Sequence, residues 1–330
     1  MARRRIGLLI MVLLLAGQAP VGAAAPSATT LDAIRAVDRR VATIGHRLAV
    51  ANLAWCARTE WRHGLVLLQL SDISGSLRGE VRQAFGREQG LGIMALAADG
   101  PGERAGLRPN DIITGLDGQA LPAQGAAGAP NQGWFAALNS AFADGEAQVA
   151  VLRGGIAATL TVRGERGCAT VFQGAPRQSR NANADGVTVN VNVGLIDYVR
   201  DDDELAAVMA HEFAHNVLRH RDRLNAAHVS RGVMGVGRGV SSIRQTEIEA
   251  DRLSVYLMAR AGYDPEAAVR FWTRYGPHPL NFLRSRDHPG WRERVASMEA
   301  EIARIRAART AGREAVPDFV TLPLAEGTGL

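Results

Sequence analysis

The H-E-x-x-H segment from His211 to His215 constrains the fold of this chain more than any other feature. It continues an apolar run rich in Ala and Leu, which favours a helix, and residues 201–203 are all aspartates that could cap its start. Residues four apart on a helix lie on one face, so His211 and His215 could bind one metal ion. Glu212 would lie beside them, where it could act as a general base toward water.

A second segment supplies acidic groups. Glu247-Ile248-Glu249-Ala250-Asp251 opens another helical pattern, which ends where Gly262 would form a C-terminal cap. Because a catalytic zinc ion typically takes three protein ligands, Glu247 is the candidate third ligand. Asp251, one turn further on, could hold the ring N–H of a ligand histidine. The alternative is a solvated acidic face, but the neighbouring H-E-x-x-H favours one zinc ion per chain.

A zinc site with a third histidine on the same segment is excluded. In the pattern H-E-x-x-H-x-x-G-x-x-H, the later glycine and histidine positions are occupied here by Leu218 and Arg221. The third ligand must therefore come from a separate helix, as Glu247 does.

The ordered segments HEFAH, TEIEADRLSVYLMARAGYDP and DHPGWRERV resemble the HtpX-like and CAAX-prenyl-protease-type zinc metallopeptidases, which are gluzincins. The resemblance runs over residues 181–305. It implies zinc on His211, His215 and Glu247, with Glu212 as the base. It also implies a His-Pro near the end of the domain, matched by His288-Pro289. There His288 could stabilise an oxyanion or only cap a turn.

The N-terminus has the pattern of an export signal. Arg3-Arg4-Arg5 is a basic start, Ile6 to Ala16 is an apolar stretch too short to span a bilayer comfortably, and residues 21–25 offer small-residue cleavage sites. We expect a periplasmic protein without a stable transmembrane anchor; an uncleaved signal anchor is the alternative. In that compartment Cys56 and Cys168 are expected to form a disulfide, the alternative being two buried thiols.

The charge pattern gives no sign of nucleic-acid binding. The net charge is +5, and arginine supplies every cation because the chain has no lysine. The arginines are scattered and are not interleaved with aromatic residues, unlike a basic nucleic-acid surface. We therefore expect polypeptide partners and no nucleic acid.

Between the two cysteines lies a segment of a different kind. Gly90-Leu91-Gly92-Ile93 precedes an A-G-L-x-P-x-D-x-I block at residues 105–113. A helix from Trp134 to Phe142 and two strands joined at Gly154-Gly155 follow. In this order they resemble the PDZ domain of bacterial HtrA-type proteases. The resemblance implies that Gly90, Leu91, Gly92 and Ile93 bind a peptide C-terminus and that the next strand pairs with the peptide. The alternative is a PDZ fold that only packs against the protease.

Three further features of the sequence give weaker indications of structure. Val187 to Val193 alternates with period two and predicts a strand, which by the gluzincin resemblance is the active-site edge strand. The glycine-rich segment from Arg231 to Val240 predicts a loop. The histidines without a partner at ligand spacing are expected to be structural or on the surface: His46, His63, His220, His228 and His278.

Together these patterns predict an α+β protein. It would have a mainly helical gluzincin-type metallopeptidase domain with an active-site β-strand, plus an inserted PDZ β-sandwich-like domain. The expected division is a signal peptide (1–25), an N-terminal helical part of the protease (26–80), the PDZ domain (86–165), the catalytic domain (168–309) and a flexible tail (310–330).

The expected activity is zinc-dependent hydrolysis of peptide bonds in envelope proteins, with the PDZ domain recruiting or regulating substrates. The alternative is a PDZ-guided periplasmic chaperone or assembly factor whose zinc site is idle.

Overall fold

A computed structural model of the chain describes residues 29–73, 75–122, 132–229, 238–277 and 289–319. They form a mixed helical and β-sheet structure, which confirms the α+β class. The helices are α1 (Thr30–Ala51), α2 (Leu77–Phe85), α3 (Pro101–Arg104), α4 (Gln132–Ala141), α5 (Val193–Ile196), α6 (Asp202–Val217), α7 (His220–Ala226), α8 (Arg238–Arg260), α9 (Glu266–Tyr275) and α10 (Trp291–Thr310). The strands are β1 (Thr59–Arg62), β2 (Leu65–Gln69), β3 (Leu91–Leu96), β4 (Ile112–Leu116), β5 (Gln119–Ala120), β6 (Glu146–Arg153), β7 (Ile156–Arg163), β8 (Glu165–Cys168), β9 (Val171–Ala175), β10 (Ala182–Ala184) and β11 (Thr188–Asn192).

The helical part of the chain packs around α6, which is buried on almost every side. The helix is capped by the Asp201 side chain, which accepts a hydrogen bond from the backbone N–H of Glu204. Its acidic first turn suits the positive end of the helix dipole. α6 contacts α8, α9 and α1. The apolar core that these helices share with α10 includes Leu205, Phe213, Leu253, Phe271 and Met298. Burial of such side chains is the main stabilising term for this part of the fold.

Helix α8 starts earlier than the sequence predicted. It begins at Arg238, so the loop predicted for residues 231–240 is wrong at its last three positions, and residues 231–237 lie outside the described residues. Glu247 therefore stands in the interior of a helix and not in its first turn. The helix therefore includes Gly239, although glycine disfavours a helix interior.

A three-stranded sheet lies against the helical core in the order β10-β11-β9, with β11 antiparallel to β10 and parallel to β9. The strand predicted at residues 187–193 is present as β11, but the prediction that it is the edge strand is wrong. Both of its sides are paired, so its backbone has no free side. The edge strand next to α6 is instead β10.

A larger sheet forms a second, inserted unit in the order β2-β3-β4-β6-β7, with β5 on β4. The hairpin of β6 and β7 turns at Gly154 and Gly155, both at positive φ, as the sequence predicted. β2 belongs to this sheet, so the unit begins well before residue 86, and the expected assignment of residues 26–80 to the N-terminal helical part does not hold for β2. The helix α2 that follows β2 was not predicted.

The peptide-binding role predicted for Gly90, Leu91, Gly92 and Ile93 does not fit this sheet. β3 starts at Leu91 and is paired with β2 on one side and with β4 on the other. A peptide therefore has no free edge to join at these residues. Gly92 has a packing role, because a Cβ there would lie 2.4 Å from the ring of Phe85 on α2. The edge strands of the sheet are β2 and β7.

Helix α1 is shared by the two units. It packs against β9, α6 and α8 of the helical part and against β2, β3 and α2 of the inserted unit. Toward the inserted unit, the Thr43 hydroxyl accepts a hydrogen bond from the backbone N–H of Ala98 (2.9 Å), and Arg39 donates to Glu103 (2.7 Å). The inserted unit is therefore held against the helical part along α1, and Arg104 adds a hydrogen bond to Glu165 on β8 (2.6 Å).

The predicted disulfide between Cys56 and Cys168 is present, with Cα atoms 5.5 Å apart. Cys168 is fully buried, and Cys56 is nearly so. The bond joins the segment after α1 to the end of β8, which pairs antiparallel with β1. In the described part of the chain, no helix combines the length and the apolarity needed to cross a membrane.

Removing the disulfide should strongly destabilise the protein. The bond closes a loop with a sequence separation of 112, and the chain-entropy model assigns about 4–5 kcal/mol to a loop of that size. The double variant Cys56→Ser, Cys168→Ser should lose most of that free energy of unfolding, measured by urea denaturation. Reduced wild-type protein is the matched control and should show a similar loss. A double variant as stable as the oxidised wild type would contradict the expectation.

Candidate metal centre

Three side chains from two helices converge at the centre of the helical part. Nε2 of His211 lies 3.3 Å from Nε2 of His215, and the carboxylate oxygens of Glu247 lie 3.4 and 3.5 Å from these two atoms. Ligands at about 2.0–2.1 Å in a tetrahedral arrangement stand about 3.3–3.4 Å from one another. The two ring nitrogens and the two oxygens of the Glu247 carboxylate therefore lie close to the separations expected around a zinc ion. Among the described residues they also form the group found suitable for a metal ion.

The geometry of α6 and α8 brings the three candidate ligand side chains together. His211 and His215 are one turn apart on α6, and Glu247 faces them from α8, the helix that packs most extensively on α6. All three side chains are largely buried, with exposures of 7%, 17% and 12%. The site is therefore preformed by the packing of two helices.

His211 is held by a buried ion pair. Its Nδ1 lies 2.9 Å from Asp251, whose two oxygens accept hydrogen bonds from Arg294 at 2.6 Å each. The guanidinium of Arg294 also stacks on Trp272. Burial alone would lower the pKa of His211, but its bonds to Asp251 and Glu247 outweigh this and raise the pKa to about 10. A metal ion therefore competes with a proton at this ring. The expected contact of Asp251 with a ligand histidine is present.

His215 has a different environment. Its Nδ1 lies 2.8 Å from Nδ1 of His220, whose Nε2 lies 3.1 Å from Glu249. Burial lowers the pKa of His215 to about 3, so this ring is neutral at neutral pH, as a metal ligand must be. Glu249 in turn binds Arg223 and Gln245. Burial works against its charge, but the bonds to His220, Arg223 and Gln245 lower its pKa to about 2.

Glu212 lies between the two ligand histidines in sequence and reaches the edge strand. Its carboxylate accepts a hydrogen bond from the backbone N–H of Ala184 on β10. Burial raises the pKa of Glu212 to about 7, with the charge of Glu247 adding to the rise and that of His211 opposing it. A carboxyl group that titrates near neutral pH can both take up and release a proton, as a general base must.

β10 is an edge strand, and its outer side lies beside Glu212, which occupies the Ala184 N–H. Asn181 and Asp185, which flank the strand, bond to β11 through Asn192 and Thr188. In antiparallel pairing alternate residues face the neighbour, so Ala182 and Ala184 direct their N–H and C=O groups away from β11. An extended polypeptide could pair with that side.

Several functional side chains were not predicted from the sequence. His220 was expected to be structural, and it contacts a candidate ligand directly. Arg294 and Trp272 lie on α10 and α9, far from the ligands in sequence. No local spacing connects either residue with the H-E-x-x-H helix. His278 and His288 lie outside the described residues, as do residues 1–28 and 320–330.

A second candidate site lies at an open edge of the inserted sheet. Leu65 and Leu67 of β2 are partly exposed and pack against the apolar cluster that includes Trp134, Leu138 and Phe142, at and just beyond α4. We call the space between β2 and α4 the β2–α4 groove. It has one unpaired strand edge and one apolar helix face.

The loop before β2 carries a backbone donor at the end of this groove. The N–H of Leu65 donates to Nδ1 of His63 at 3.0 Å, and Gly64 between them has a φ of +74°. Burial, with the nearby Arg62 and His46, lowers the pKa of His63 to about 4, so the ring is neutral and can accept this bond. Its ring packs on Phe142 at a centroid distance of 5.3 Å. An incoming carboxylate would compete with His63 for the N–H.

Comparison with known proteins relates the metal centre to a peptidase family. The model of peptidase family M48 matches residues 156–237 and 225–302. The mitochondrial metalloendopeptidase OMA1 of Schizosaccharomyces pombe is 30% identical over 137 residues, covering 34% of this chain and 41% of its own length. A putative beta-barrel assembly-enhancing protease of Vibrio cholerae is 30% identical over 129 residues, covering 29% and 27%. This chain thus spans less than half of each relative.

The expected resemblance to metallopeptidases is thus supported by a match to family M48 that covers residues 156–302, less than half of the chain. Among solved structures, the HtrA3 PDZ domain bound to a phage-derived ligand has a TM-score of 0.25 at 17% identity, covering 33% of this chain and 89% of that domain. The HtrA-type protease AlgW with a decapeptide also has a TM-score of 0.25, at 20% identity, covering 33% and 30%.

Proposed function

We propose that the chain is a zinc-dependent endopeptidase, with His211, His215 and Glu247 as ligands and Glu212 as general base. The observation that carries the proposal is the convergence of two imidazoles and one carboxylate at distances of 3.3–3.5 Å, next to a partly buried glutamate that contacts an edge strand. A purely structural zinc site is usually closed by four protein ligands and has no need of a base.

Each protein group has a definite task in this proposal. When bound, zinc supplies Lewis-acid chemistry, activating water and polarising a carbonyl. The substrate backbone pairs with the outer side of β10 at Ala182, next to the Ala184 N–H that bonds to Glu212, and is thereby held extended beside α6. Glu212, with a pKa of about 7, takes the proton of the attacking water and passes it to the leaving amine. Asp251 and Arg294 hold the ring of His211 and balance the charge of the site.

The experiment that tests this proposal uses the zinc-loaded chain and a peptide library prepared from a whole proteome. New N-termini identified by mass spectrometry should appear with zinc, disappear with the chelator 1,10-phenanthroline and return when zinc is restored. Their sequences would give the cleavage preference. An absence of new termini above the chelated control would contradict the proposal.

The expected setting for this activity is the cell envelope. A disulfide is formed in oxidising compartments, and the N-terminal pattern is that of an export signal. One relative is described as a beta-barrel assembly-enhancing protease. Taken together, these observations support periplasmic envelope proteins as the substrate class.

We further propose that the inserted unit is a PDZ-type domain whose β2–α4 groove binds the free C-terminus of a polypeptide ending in an apolar residue. The unpaired edge of β2 suits strand addition, the Leu65 N–H suits a terminal carboxylate, and Leu65 and Leu67 suit an apolar side chain. This groove replaces the site expected at residues 90–93. The bound C-terminus would bring a substrate to the protease part.

The groove proposal predicts a selective loss of peptide binding. Ala137→Arg introduces a charge on the partly exposed margin of the α4 face that packs with the core. It should weaken binding of a fluorescent decapeptide ending in valine about tenfold or more, since the arginine must be desolvated. Asn139→Arg, on the exposed side of α4, is the matched control and should change little. Equal binding of the C-terminally amidated peptide would contradict a carboxylate site.

The alternative function is a chaperone or assembly factor guided by the same groove. It would retain peptide binding at β2 and the metal, and it would yield no new N-termini in the library experiment. The pKa of Glu212 near neutrality and its contact with β10 favour the protease.

A further inference from the structure

His220 is a buried histidine that joins a candidate metal ligand to a carboxylate. It is 2% exposed, with Nδ1 at 2.8 Å from Nδ1 of His215 and Nε2 at 3.1 Å from Glu249. Glu249 also accepts a hydrogen bond from Arg223 at 2.6 Å. These contacts form a continuous line from the metal centre to the protein surface, which we call the His220 relay: His215, His220, Glu249 and Arg223.

The direction of the hydrogen bonds in this relay follows from the metal centre. Nε2 of His215 faces His211 and Glu247, so a neutral His215 that binds metal through Nε2 carries its proton on Nδ1. That proton can only be donated to Nδ1 of His220, which must be an acceptor. His220 then carries its proton on Nε2 and donates it to Glu249. Each group has one permitted role, so the tautomers of both rings are set.

We propose that His220 is the positioning residue that fixes the ring and tautomer of His215 for zinc, with Glu249 fixing His220 in turn. This inference rests on the metal site of the proposed function. His211 has its own partner in Asp251, so the two ligand histidines are oriented independently.

The local backbone explains how His220 reaches this position. α6 ends at Val217, and Arg219, with a φ of +53°, adopts a left-handed conformation that turns the chain into α7. His220 is the first residue of α7 and lies back against the last turn of α6. α7 also packs on α8, which carries Glu249. A left-handed conformation at a non-glycine residue costs conformational energy. Here that conformation at Arg219 places His220 next to the candidate ligand His215.

The test measures zinc affinity and ligand geometry without any substrate. Zinc dissociation constants are determined by chelator competition, and the visible absorption of the Co²⁺-loaded chain reports ligand geometry. His220→Ala should weaken zinc binding about 10- to 100-fold, the usual effect of losing an outer partner of a ligand. His220→Asn keeps an acceptor near the position of Nδ1 and should recover most of the affinity and the cobalt spectrum.

The loss of zinc affinity should also become smaller with distance from His215 along the His220 relay. Glu249→Ala should weaken zinc binding less than His220→Ala, and Arg223→Ala, at the half-exposed end, less still. His46→Ala is the matched control, because His46 is also a buried histidine bonded to a glutamate, Glu165, at 2.7 Å, and it lies outside the metal centre. It should leave zinc affinity unchanged whatever it does to the melting temperature.

Each outcome separates this inference from the proposed function. Wild-type zinc affinity in a folded His220→Ala chain would overturn the relay, even if the chain cleaves peptides. If His220→Ala does not fold, wild-type affinity in Glu249→Ala would overturn it as well. If the variants show the predicted losses of zinc affinity but the wild-type chain cleaves no peptide, the proposed protease activity would be refuted. The inference about the His220 relay would still hold.

Discussion

Replacing Glu212 by glutamine should abolish peptide hydrolysis and leave zinc binding intact. Glutamine has nearly the same shape, and its carbonyl oxygen can still accept the N–H of Ala184, so the site should keep its packing. It cannot take up a proton from water at neutral pH. A general base contributes about 10²–10⁴-fold to a rate, so kcat should fall by that factor.

The measurement is the rate of cleavage of a fluorogenic peptide chosen from the library experiment, with zinc content determined on the same sample. Glu299→Gln makes the same chemical change at an exposed position on α10 and should retain full activity. Wild-type cleavage by the Glu212→Gln chain would remove Glu212 from the role of base. Loss of zinc in that chain would show that the carboxylate acts on the metal site and not on the substrate.

Replacing Glu247 by alanine should release most of the zinc. Two imidazoles from one helix then remain, and a catalytic zinc ion typically needs three protein ligands. Glu247→Asp keeps the charge but withdraws the oxygen from its place 3.4–3.5 Å from the two ring nitrogens, so its affinity should be intermediate. Zinc per chain, measured by mass spectrometry after dialysis, gives the result.

Glu293→Ala serves as the control, because it also removes a carboxylate but at an exposed position on α10. It should keep one zinc ion per chain. Full zinc in the Glu247→Ala chain would contradict the ligand assignment and would leave the third ligand unidentified.

The metal ligands could be predicted from the sequence because helices repeat. The spacing of His211 and His215, and that of Glu247 and Asp251, equals about one turn, which places each pair on one face before any tertiary structure is known. The disulfide followed from the compartment and from the presence of only two cysteines.

The rest of the site depends on contacts that local spacing does not encode. Arg294 reaches Asp251 from a helix 43 residues away, and no periodic pattern indicates that approach. His220 contacts His215 only because Arg219 takes a left-handed conformation, which a propensity for helix does not predict. Both residues meet the ligands through tertiary packing.

Sheet order was the largest source of error. Alternation identified β11 as a strand, but it does not reveal how many neighbours a strand has, and β11 is central. The Gly-Leu-Gly pattern at residues 90–92 suggested a binding loop, while Gly92 serves to admit the ring of Phe85. In each case the strand is present, but its own sequence does not identify the strands that pair with it.

The disulfide and the ribbon of β1 and β8 also make the chain modular. The Cα atoms of Cys56 and Cys168 are 5.5 Å apart, a gap that two extended residues can span, so the inserted unit leaves and rejoins the helical part at almost one point. A different domain could thus be transplanted between β1 and β8 without stretching the helices around α6. The surface it would have to match includes Arg39 and Thr43 on α1 and Glu165 on β8.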